Sequence, residues 1–180
     1  MEKITMTASQ RLFFALWPEQ RIRQQLINVQ SSLTAPGRFV LPENLHVTLS
    51  FLGNVSSDSR LLLLEQATAL TEHTAFTLIF EDIQFWPTSG VVCLTTRVIP
   101  ETIVLIAEKL NRLARELGLN VDTRPYQPHV TLARDSSKIE ALGLIQPITW
   151  SATHFCLVES CVNSEGVIYQ IIQEWPFDKC

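Results

Sequence analysis

Short runs in which apolar residues alternate with polar ones, or follow one another without a break, predict the strands of this chain. The run Arg11–Trp17 (RLFFALW) is continuous, aromatic and bounded by Pro18, which is typical of a buried strand. Turn-forming residues separate two pairs of later runs, at 87–90 and at 163–166. The predicted strands are Arg11–Trp17, Leu45–Leu52, Phe76–Trp86, Val91–Val98, His129–Ala133, Ile148–Cys161 and Val167–Ile172.

Helices are predicted where apolar residues recur every three or four positions. Ile22, Leu26 and Val29 follow this spacing, and Pro100 opens a helix that ends at Gly118. Helices alternate with strands and hairpins, and no glycine-rich phosphate loop is present, which favours an α+β fold with a largely antiparallel sheet. No serine- or proline-rich linker divides the chain, so we expect one domain over residues 1–180. The predicted helices are Glu19–Leu33, Ser59–Leu70, Pro100–Gly118 and a short one at Ser136–Leu142.

Composition narrows the classes of function. The chain has 14 Lys and Arg against 18 Asp and Glu, so it lacks the basic surplus of proteins that coat duplex DNA, and any nucleic-acid contact should be short and local. No apolar run approaches the roughly 20 residues that a membrane-spanning helix needs. The 4 cysteines form no Cys-x-x-Cys pair, and the first residues lack the apolar stretch of a secretion signal. We therefore expect a cytoplasmic monomer with reduced thiols.

One tetrapeptide occurs twice, and it is the strongest feature of the sequence. His46-Val47-Thr48-Leu49 and the segment 129–132 have the same four residues, His-Val-Thr-Leu. Each copy lies in a predicted strand, where side chains alternate between faces. In Leu45–Leu52, the residues His46, Thr48 and Ser50 are therefore expected on one face, and Val47, Leu49 and Phe51 on the other.

The repeat suggests a paired site. If a pseudo-twofold axis brings the two strands together, His46 and His129 line one groove with Thr48 and Thr131. Two imidazoles with an ordinary pKa near 6.5 can act as an acid and a base at neutral pH. The two threonine hydroxyls can donate hydrogen bonds to the non-bridging oxygens of a phosphate held between them.

Two other interpretations stay open. Two histidines are also compatible with a metallohydrolase, although no Asp, Glu or Cys occupies the next position on the same face to complete a ligand set, so we expect no metal and no cofactor. A non-catalytic module that binds RNA ends or nucleotides would use the threonines, but it would not need paired imidazoles. The presence of both histidines favours catalysis.

The chain resembles the two-histidine (2H) phosphoesterase superfamily, which carries two His-x-Thr-x motifs in a protein of this size. The segments Arg11–Leu16 (RLFFAL), Arg38–Gly53 (RFVLPENLHVTLSFLG) and Pro125–Arg134 (PYQPHVTLAR) are similar to its bacterial branch of RNA 2′,3′-cyclic phosphodiesterases, also called 2′-5′ RNA ligases. The resemblance extends over nearly the whole chain. It implies a bilobal α+β fold in which two antiparallel sheets flank a central groove, with the helices outside.

The resemblance also implies roles for particular residues. The substrate is expected to be an RNA or nucleotide with a 2′,3′-cyclic phosphate, opened by water to a 2′-phosphate, with reversible 2′-5′ ligation as a second activity. His129 is the implied general base and His46 the implied general acid. Arg134 is expected to add positive charge at the phosphate. The two motifs are identical, so the sequence alone does not decide which histidine is the acid.

The residues around the motifs have alternative interpretations. Alternation places Phe51 in the core, whereas the resemblance implies an aromatic that stacks on the terminal base. Arg38, Arg124 and Lys138 are either solvated or in contact with phosphates. His73 and His154 are predicted to be structural, Tyr126 is left unassigned, and the tryptophans are predicted to fill cores or to close strand ends.

Overall fold

The strands and helices of the chain assemble into one antiparallel sheet with helices packed against it. The computed structural model describes residues 9–137, 144–164 and 166–178. The strands are β1 Gln10–Leu16, β2 Arg38–Phe39, β3 Val47–Val55, β4 Phe76–Trp86, β5 Val91–Thr95, β6 His129–Arg134, β7 Leu144–Ala152, β8 His154–Asn163 and β9 Gly166–Pro176. The helices are α1 Gln20–Ser31, α2 Ser57–Ala67 and α3 Glu101–Glu116, with 3₁₀ helices at Pro42–Asn44 and Thr68–Glu72.

The sheet consists of two halves that meet between the two motif strands. Its strand order is β7-β4-β5-β6-β3-β1-β8-β9, and β2 pairs with β6 beside this path. Strands β3 and β6 are paired antiparallel at Val47 and Val130, the central apolar residues of the two motifs. The α+β class and the bilobal antiparallel arrangement are thus confirmed. The two expected sheets are the two halves of one sheet, which are joined by the pairing of Val47 with Val130.

The main hydrophobic core lies between the sheet and the helices. Leu12, Phe14 and Leu16 of β1 belong to it, together with apolar residues of α1, α2 and α3. Phe13 and Ala15 alternate with them and belong to a smaller buried cluster with residues of β8. Strand β1 is therefore buried on both faces, as its unbroken apolar sequence requires. None of the described helices is long and apolar enough to cross a membrane.

Two predicted elements differ from the structure. The range Ile148–Cys161 is divided at Thr153 between β7, which pairs with β4, and β8, which lies between β1 and β9. Both pieces are rich in β-forming residues, so the local sequence gave no sign that the chain changes from one half of the sheet to the other. Most of the short helix predicted at Ser136–Leu142 lies outside the described residues.

Both motif strands contain a β-bulge at the leucine of the motif. In β3, Thr48 and Ser50 have consecutive partners on β1, so Leu49 is the extra residue. In β6, Thr131 and Ala133 have consecutive partners on β5, so Leu132 is the extra residue. An extra residue reverses the alternation of faces beyond it. The fifth residue after each motif histidine is therefore on the same side as the histidine.

Candidate active site

The β3–β6 pairing brings the polar residues of the two motifs together. Val47 lies opposite Val130, and both side chains are buried. Continuing this antiparallel register by one residue in each direction places His46 opposite Thr131 and Thr48 opposite His129. These four residues are only partly buried, whereas their valine neighbours face the core. The pseudo-twofold relation expected from the repeat is thus present in the sheet itself.

The imidazole of His46 is held by two hydrogen bonds. Its Nδ1 lies 2.6 Å from the carbonyl oxygen of Asn44, and its Nε2 lies 3.0 Å from the hydroxyl of Thr48. A carbonyl oxygen can only accept, so Nδ1 carries the proton and Nε2 keeps the lone pair when the ring is neutral. Strand β3 begins at Val47, one residue after His46, rather than at the predicted Leu45. His46 therefore belongs to the turn that follows the 3₁₀ helix.

His129 has the same backbone setting. Its Nδ1 lies 2.8 Å from the carbonyl oxygen of Gln127, two residues earlier in the chain, as Asn44 is two residues before His46. The same tautomer follows, with the lone pair on Nε2. Both motifs thus present the same nitrogen atom of their histidine.

The aromatic surroundings of the two histidines differ. Three rings pack around His46: Trp17 stacks on it with ring centroids 5.4 Å apart, Phe13 is tilted at 5.0 Å, and Tyr169 meets it edge-on at 5.3 Å. His129 contacts Trp86 edge-on at 4.6 Å. The two imidazoles therefore make the same hydrogen bond to the backbone but have different aromatic neighbours.

Burial and neighbouring charge make both imidazoles weak bases. Burial, together with smaller effects of Arg134 and His129, lowers the pKa of His46 to about 4, although the hydrogen bond to Asn44 acts in the opposite direction. Burial also lowers the pKa of His129, with Arg134 as a smaller contribution and the Gln127 carbonyl acting against it. Both rings are therefore neutral at pH 7, each with an accepting Nε2.

The bulges bring Phe51 and Arg134 to the groove. Each is the fifth residue after its motif histidine, and each lies beyond the bulged leucine. Phe51 is 42% exposed, so the core position that alternation predicts for it is wrong. Ser50, predicted beside His46, is instead buried and donates a hydrogen bond of 2.7 Å to Asn111 of α3.

The groove has two arms that share a centre. His46, Arg134, Val167 and Tyr169 line both arms. One arm extends over β1 and β3 and contains Arg11, Phe13, Thr48 and Phe51. The other extends towards β2 and contains Arg38, Phe39, Leu41 and Thr131.

The structure brings together the six site residues predicted from the sequence. His46, Thr48, Thr131, Arg134 and Phe51 line the groove, and His129 lies across the β3–β6 junction in register with Thr48. Arg124 forms an exposed ion pair with Asp122, and His73 contacts Lys109. Lys138 is not among the described residues. In the described ranges, no group of three or more His, Cys, Asp or Glu is arranged to hold a metal ion.

Sequence analysis missed the residues that surround the histidines. Trp17 follows β1 and Trp86 ends β4, as predicted for strand ends, but both rings contact a motif histidine. Tyr169 carried no local signal, because it lies on β9, far along the chain from the ring of His46 that it contacts. The role of the Asn44 side chain was hidden for the same reason, because it bonds to Val167 of β9. The apolar cluster on the groove side of β1 could have indicated an aromatic wall.

Comparison with known proteins gives concordant results. The model of the 2′-5′ RNA ligase superfamily matches residues 18–161. The RNA 2′,3′-cyclic phosphodiesterase of Escherichia coli K12 is 35% identical over 175 residues, covering 94% of this chain and 98% of that protein. The protein of the same name from Methanocaldococcus jannaschii is 27% identical, covering 92% and 99%. The crystal structure of E. coli LigT complexed with 3′-AMP superposes with a TM-score of 0.86 at 33% identity, covering 94% and 99%. The chain belongs to the 2′-5′ RNA ligase superfamily of two-histidine phosphoesterases.

Proposed function

We propose that this protein hydrolyses the 2′,3′-cyclic phosphate at an RNA end or on a nucleotide and leaves a 2′-phosphomonoester. The observation that carries the proposal is the β3–β6 register, which places two imidazoles of the same tautomer beside two threonines and Arg134. Relatives that match over more than nine-tenths of this chain are named RNA 2′,3′-cyclic phosphodiesterases, which supports the same substrate here.

The reaction uses the Nε2 atoms of the two histidines. His129 removes a proton from a water molecule, and the water oxygen attacks the phosphorus. The bond from phosphorus to the ribose 3′-oxygen breaks, and His46 gives that oxygen a proton. Each histidine ends in the other protonation state, so solvent exchange restores the pair. Such general acid–base catalysis contributes about 10²–10⁴-fold per group.

The negative charge of the substrate helps the acid to take up the proton that it needs from solvent. Burial and Arg134 keep the pKa of His46 near 4 in the free protein, which would leave the acid unprotonated at pH 7. A cyclic phosphate between the imidazoles carries a negative charge, which raises the pKa values of both. Binding of the phosphate therefore favours uptake of one proton from solvent by the pair, and in our proposal His46 carries it. We keep His46 as the acid and His129 as the base.

In this scheme, different residues bind the phosphate and the terminal nucleobase of the substrate. Thr48 and Thr131 lie on either side of the junction and donate to non-bridging oxygens, while Arg134 balances the charge that grows as the ring opens. Phe51 offers an exposed ring to the terminal base. The guanidinium of Arg11 lies 5.0 Å from the Phe51 ring centroid and covers one face of that ring.

Replacing either histidine tests the proposal. His46→Ala and His129→Ala should each lower kcat at least 10²-fold on an oligonucleotide with a 2′,3′-cyclic phosphate end, because each removes one proton transfer. The products should be resolved by chromatography that separates 2′- from 3′-phosphates. His154→Ala, which removes a histidine on β8 outside the groove lining, is the matched control and should keep the wild-type rate.

The same assay distinguishes the alternatives. Unchanged turnover in either histidine variant, or a 3′-phosphate product, would contradict the two-histidine scheme. Loss of activity in excess EDTA, restored by zinc or manganese, would favour a metallohydrolase. Binding without any turnover would favour a module that only recognises RNA ends. We expect 2′-5′ joining to be minor, because water is far more abundant than a second bound RNA end. We also propose that the protein acts in the cytoplasm and as a monomer.

A further inference from the structure

The arm of the groove towards β2 has apolar surface that the proposed chemistry does not use. Phe39 is 41% exposed, Leu41 43% and Val167 37%, and all three line this arm. The proposed chemistry uses the shared centre, Thr48 and Phe51 of the other arm, and of this arm only the hydroxyl of Thr131. Exposed apolar residues gathered in one concave place usually mark a binding surface.

Hydrogen bonds and close backbone packing hold the wall of this arm in place. The buried side chain of Gln30 donates to the carbonyl oxygens of Val40 and Leu132, each at 2.9 Å, and so ties α1 to both strands of the wall. Gly37 has φ +141°, and a Cβ there would lie 2.5 Å from the carbonyl oxygen of Arg134. Only glycine allows this approach. The wall is thus held in place before any ligand arrives.

The arm also carries a second cation. Arg38 lies opposite Arg134 in the β2–β6 pair, so their Cα atoms are about 5 Å apart. Arg38 pairs with Asp135 at 3.2 Å, but both side chains are 73% exposed, and such a pair exchanges readily with a competing anion. An arm lined by an aromatic ring and two guanidinium groups suits a base and the phosphodiester next to it.

We propose that this arm binds the nucleotide that precedes the one carrying the cyclic phosphate. The proposal rests on the proposed function and extends it, because it makes an RNA end of at least two nucleotides the preferred substrate. Because Arg38 lies beside Arg134 in the β2–β6 pair, an RNA strand whose cyclic phosphate is held at Arg134 brings its neighbouring phosphodiester to Arg38. That phosphodiester joins the terminal nucleotide to the one before it, so the arm belongs to the strand that carries the cyclic phosphate. Phe39 stacks on the preceding base, and Arg38 contacts the phosphodiester.

The experiment compares two substrates in the full-length protein. Adenosine 2′,3′-cyclic phosphate occupies only the centre and the Phe51 arm, whereas the 3′-5′-linked diadenosine with a terminal 2′,3′-cyclic phosphate also reaches the β2 arm. The ratio of kcat/KM for the dinucleotide to that for the mononucleotide should be about fivefold or more, since a stacked base contributes at least this much. Phe39→Ala should bring this ratio close to one, and Phe39→Tyr should restore it.

Controls separate this proposal from loss of the fold and from failure of the proposed function. Ile79→Ala removes another exposed apolar side chain, 44% exposed on β4 and outside both arms, and should leave the ratio unchanged. A wild-type ratio near one, or a high ratio that Phe39→Ala does not lower, would overturn the second subsite while hydrolysis of the mononucleotide still supports the proposed function. No turnover of either substrate would instead refute the function.

A third substrate tests the other possible occupant. In 2′-5′ joining, a 5′-hydroxyl oxygen replaces water as the attacking atom and the 3′-oxygen leaves as before. If Phe39→Ala lowers joining of adenosine to adenosine 2′,3′-cyclic phosphate but leaves the substrate ratio unchanged, the arm holds the nucleoside with the 5′-hydroxyl, and our proposal is wrong. Arg38→Ala should weaken the salt dependence of kcat/KM for the dinucleotide, because it removes one phosphate contact.

Discussion

At the scale of single residues, the site shows how one backbone pattern can give two different groups. His46 and His129 each donate through Nδ1 to the carbonyl two residues earlier, so both present Nε2. Their differences come from the rings around them, three for His46 and the indole of Trp86 for His129. Apolar rings cannot solvate an imidazolium, so burial is the largest cause that lowers the pKa of both histidines.

This burial predicts how the stability of the protein depends on pH. An unfolded chain binds a proton at His46 below about pH 6.5, whereas the folded chain does so only near pH 4. Between these values the unfolded state binds more protons, so the free energy of unfolding falls as the pH falls from about 6.5 to 4. Allowing for the partial exposure of the ring, we expect His46 to account for about 1–2 kcal/mol of this loss.

Urea unfolding at pH 7 and pH 4.5 measures the effect. The loss of stability between the two pH values should be smaller in His46→Gln than in the wild type, because the variant has no imidazole to protonate at this position. His154→Gln provides the comparison for removing a histidine outside the groove. Equal pH dependence in the wild type and in His46→Gln would show that His46 is solvated in the folded protein.

At the scale of elements, the bulges decide which residues accompany the histidines. Leu49 and Leu132 occupy the same position in the two motifs, and each shifts the alternation of its strand by one residue. Phe51 and Arg134 therefore occupy equivalent positions relative to the two histidines, the first with an aromatic ring and the second with a guanidinium group. Alternation alone placed Phe51 in the core, because a bulge depends on pairing with a second strand.

The 3₁₀ helix before His46 is held by one buried side chain. The Asn44 amide donates to the carbonyl oxygen of Val167 at 2.8 Å and accepts from the main-chain N–H of Tyr169 at 3.3 Å. Its own carbonyl accepts from His46 Nδ1. Asn44 thus connects β9 to the histidine and acts as a positioning residue.

Asn44→Ala should lower both stability and turnover. The variant leaves two main-chain groups of β9 without their partner, which costs about 1–3 kcal/mol in the free energy of unfolding. Loss of this anchor lets His46 move, and a displacement near 1 Å reduces kcat about 10²-fold. Urea unfolding and steady-state kinetics measure the two effects, with KM expected to change much less than kcat. If stability falls but kcat does not, Asn44 serves the fold alone.

At the scale of the whole molecule, the distance between the histidines depends on how the two halves of the sheet are joined. The halves are paired at Val47 and Val130, and the Tyr126 hydroxyl reinforces the junction by donating to the carbonyl oxygen of Thr48 at 2.9 Å. Tyr126 lies just before β6 and Thr48 lies in β3, so this bond connects the two segments that carry the motifs. Burial raises the pKa of Tyr126, which keeps its hydroxyl protonated and able to donate.

Tyr126→Phe tests this junction. It removes one hydroxyl and leaves the Thr48 carbonyl without this donor, so the free energy of unfolding should fall by about 1–3 kcal/mol. We also expect a lower kcat, because the relative placement of the two imidazoles becomes less defined. Circular dichroism during urea unfolding and kinetics at saturating substrate measure these changes. An unchanged kcat would mean that the valine pair alone holds the two halves in register.

The sequence by itself determined the fold class, the limits of most helices and the four polar residues of the two motifs. These features are local, because periodicity fixes faces within one strand or helix, and a repeated tetrapeptide is visible without coordinates. The tertiary structure decided the distribution of Ile148–Cys161 over two strands, the exposure of Phe51, the aromatic rings around His46 and the β2 arm. Each of these depends on hydrogen bonds and contacts between residues far apart in the chain, such as Asn44 with Val167 or Gln30 with Leu132, and no local pattern encodes them.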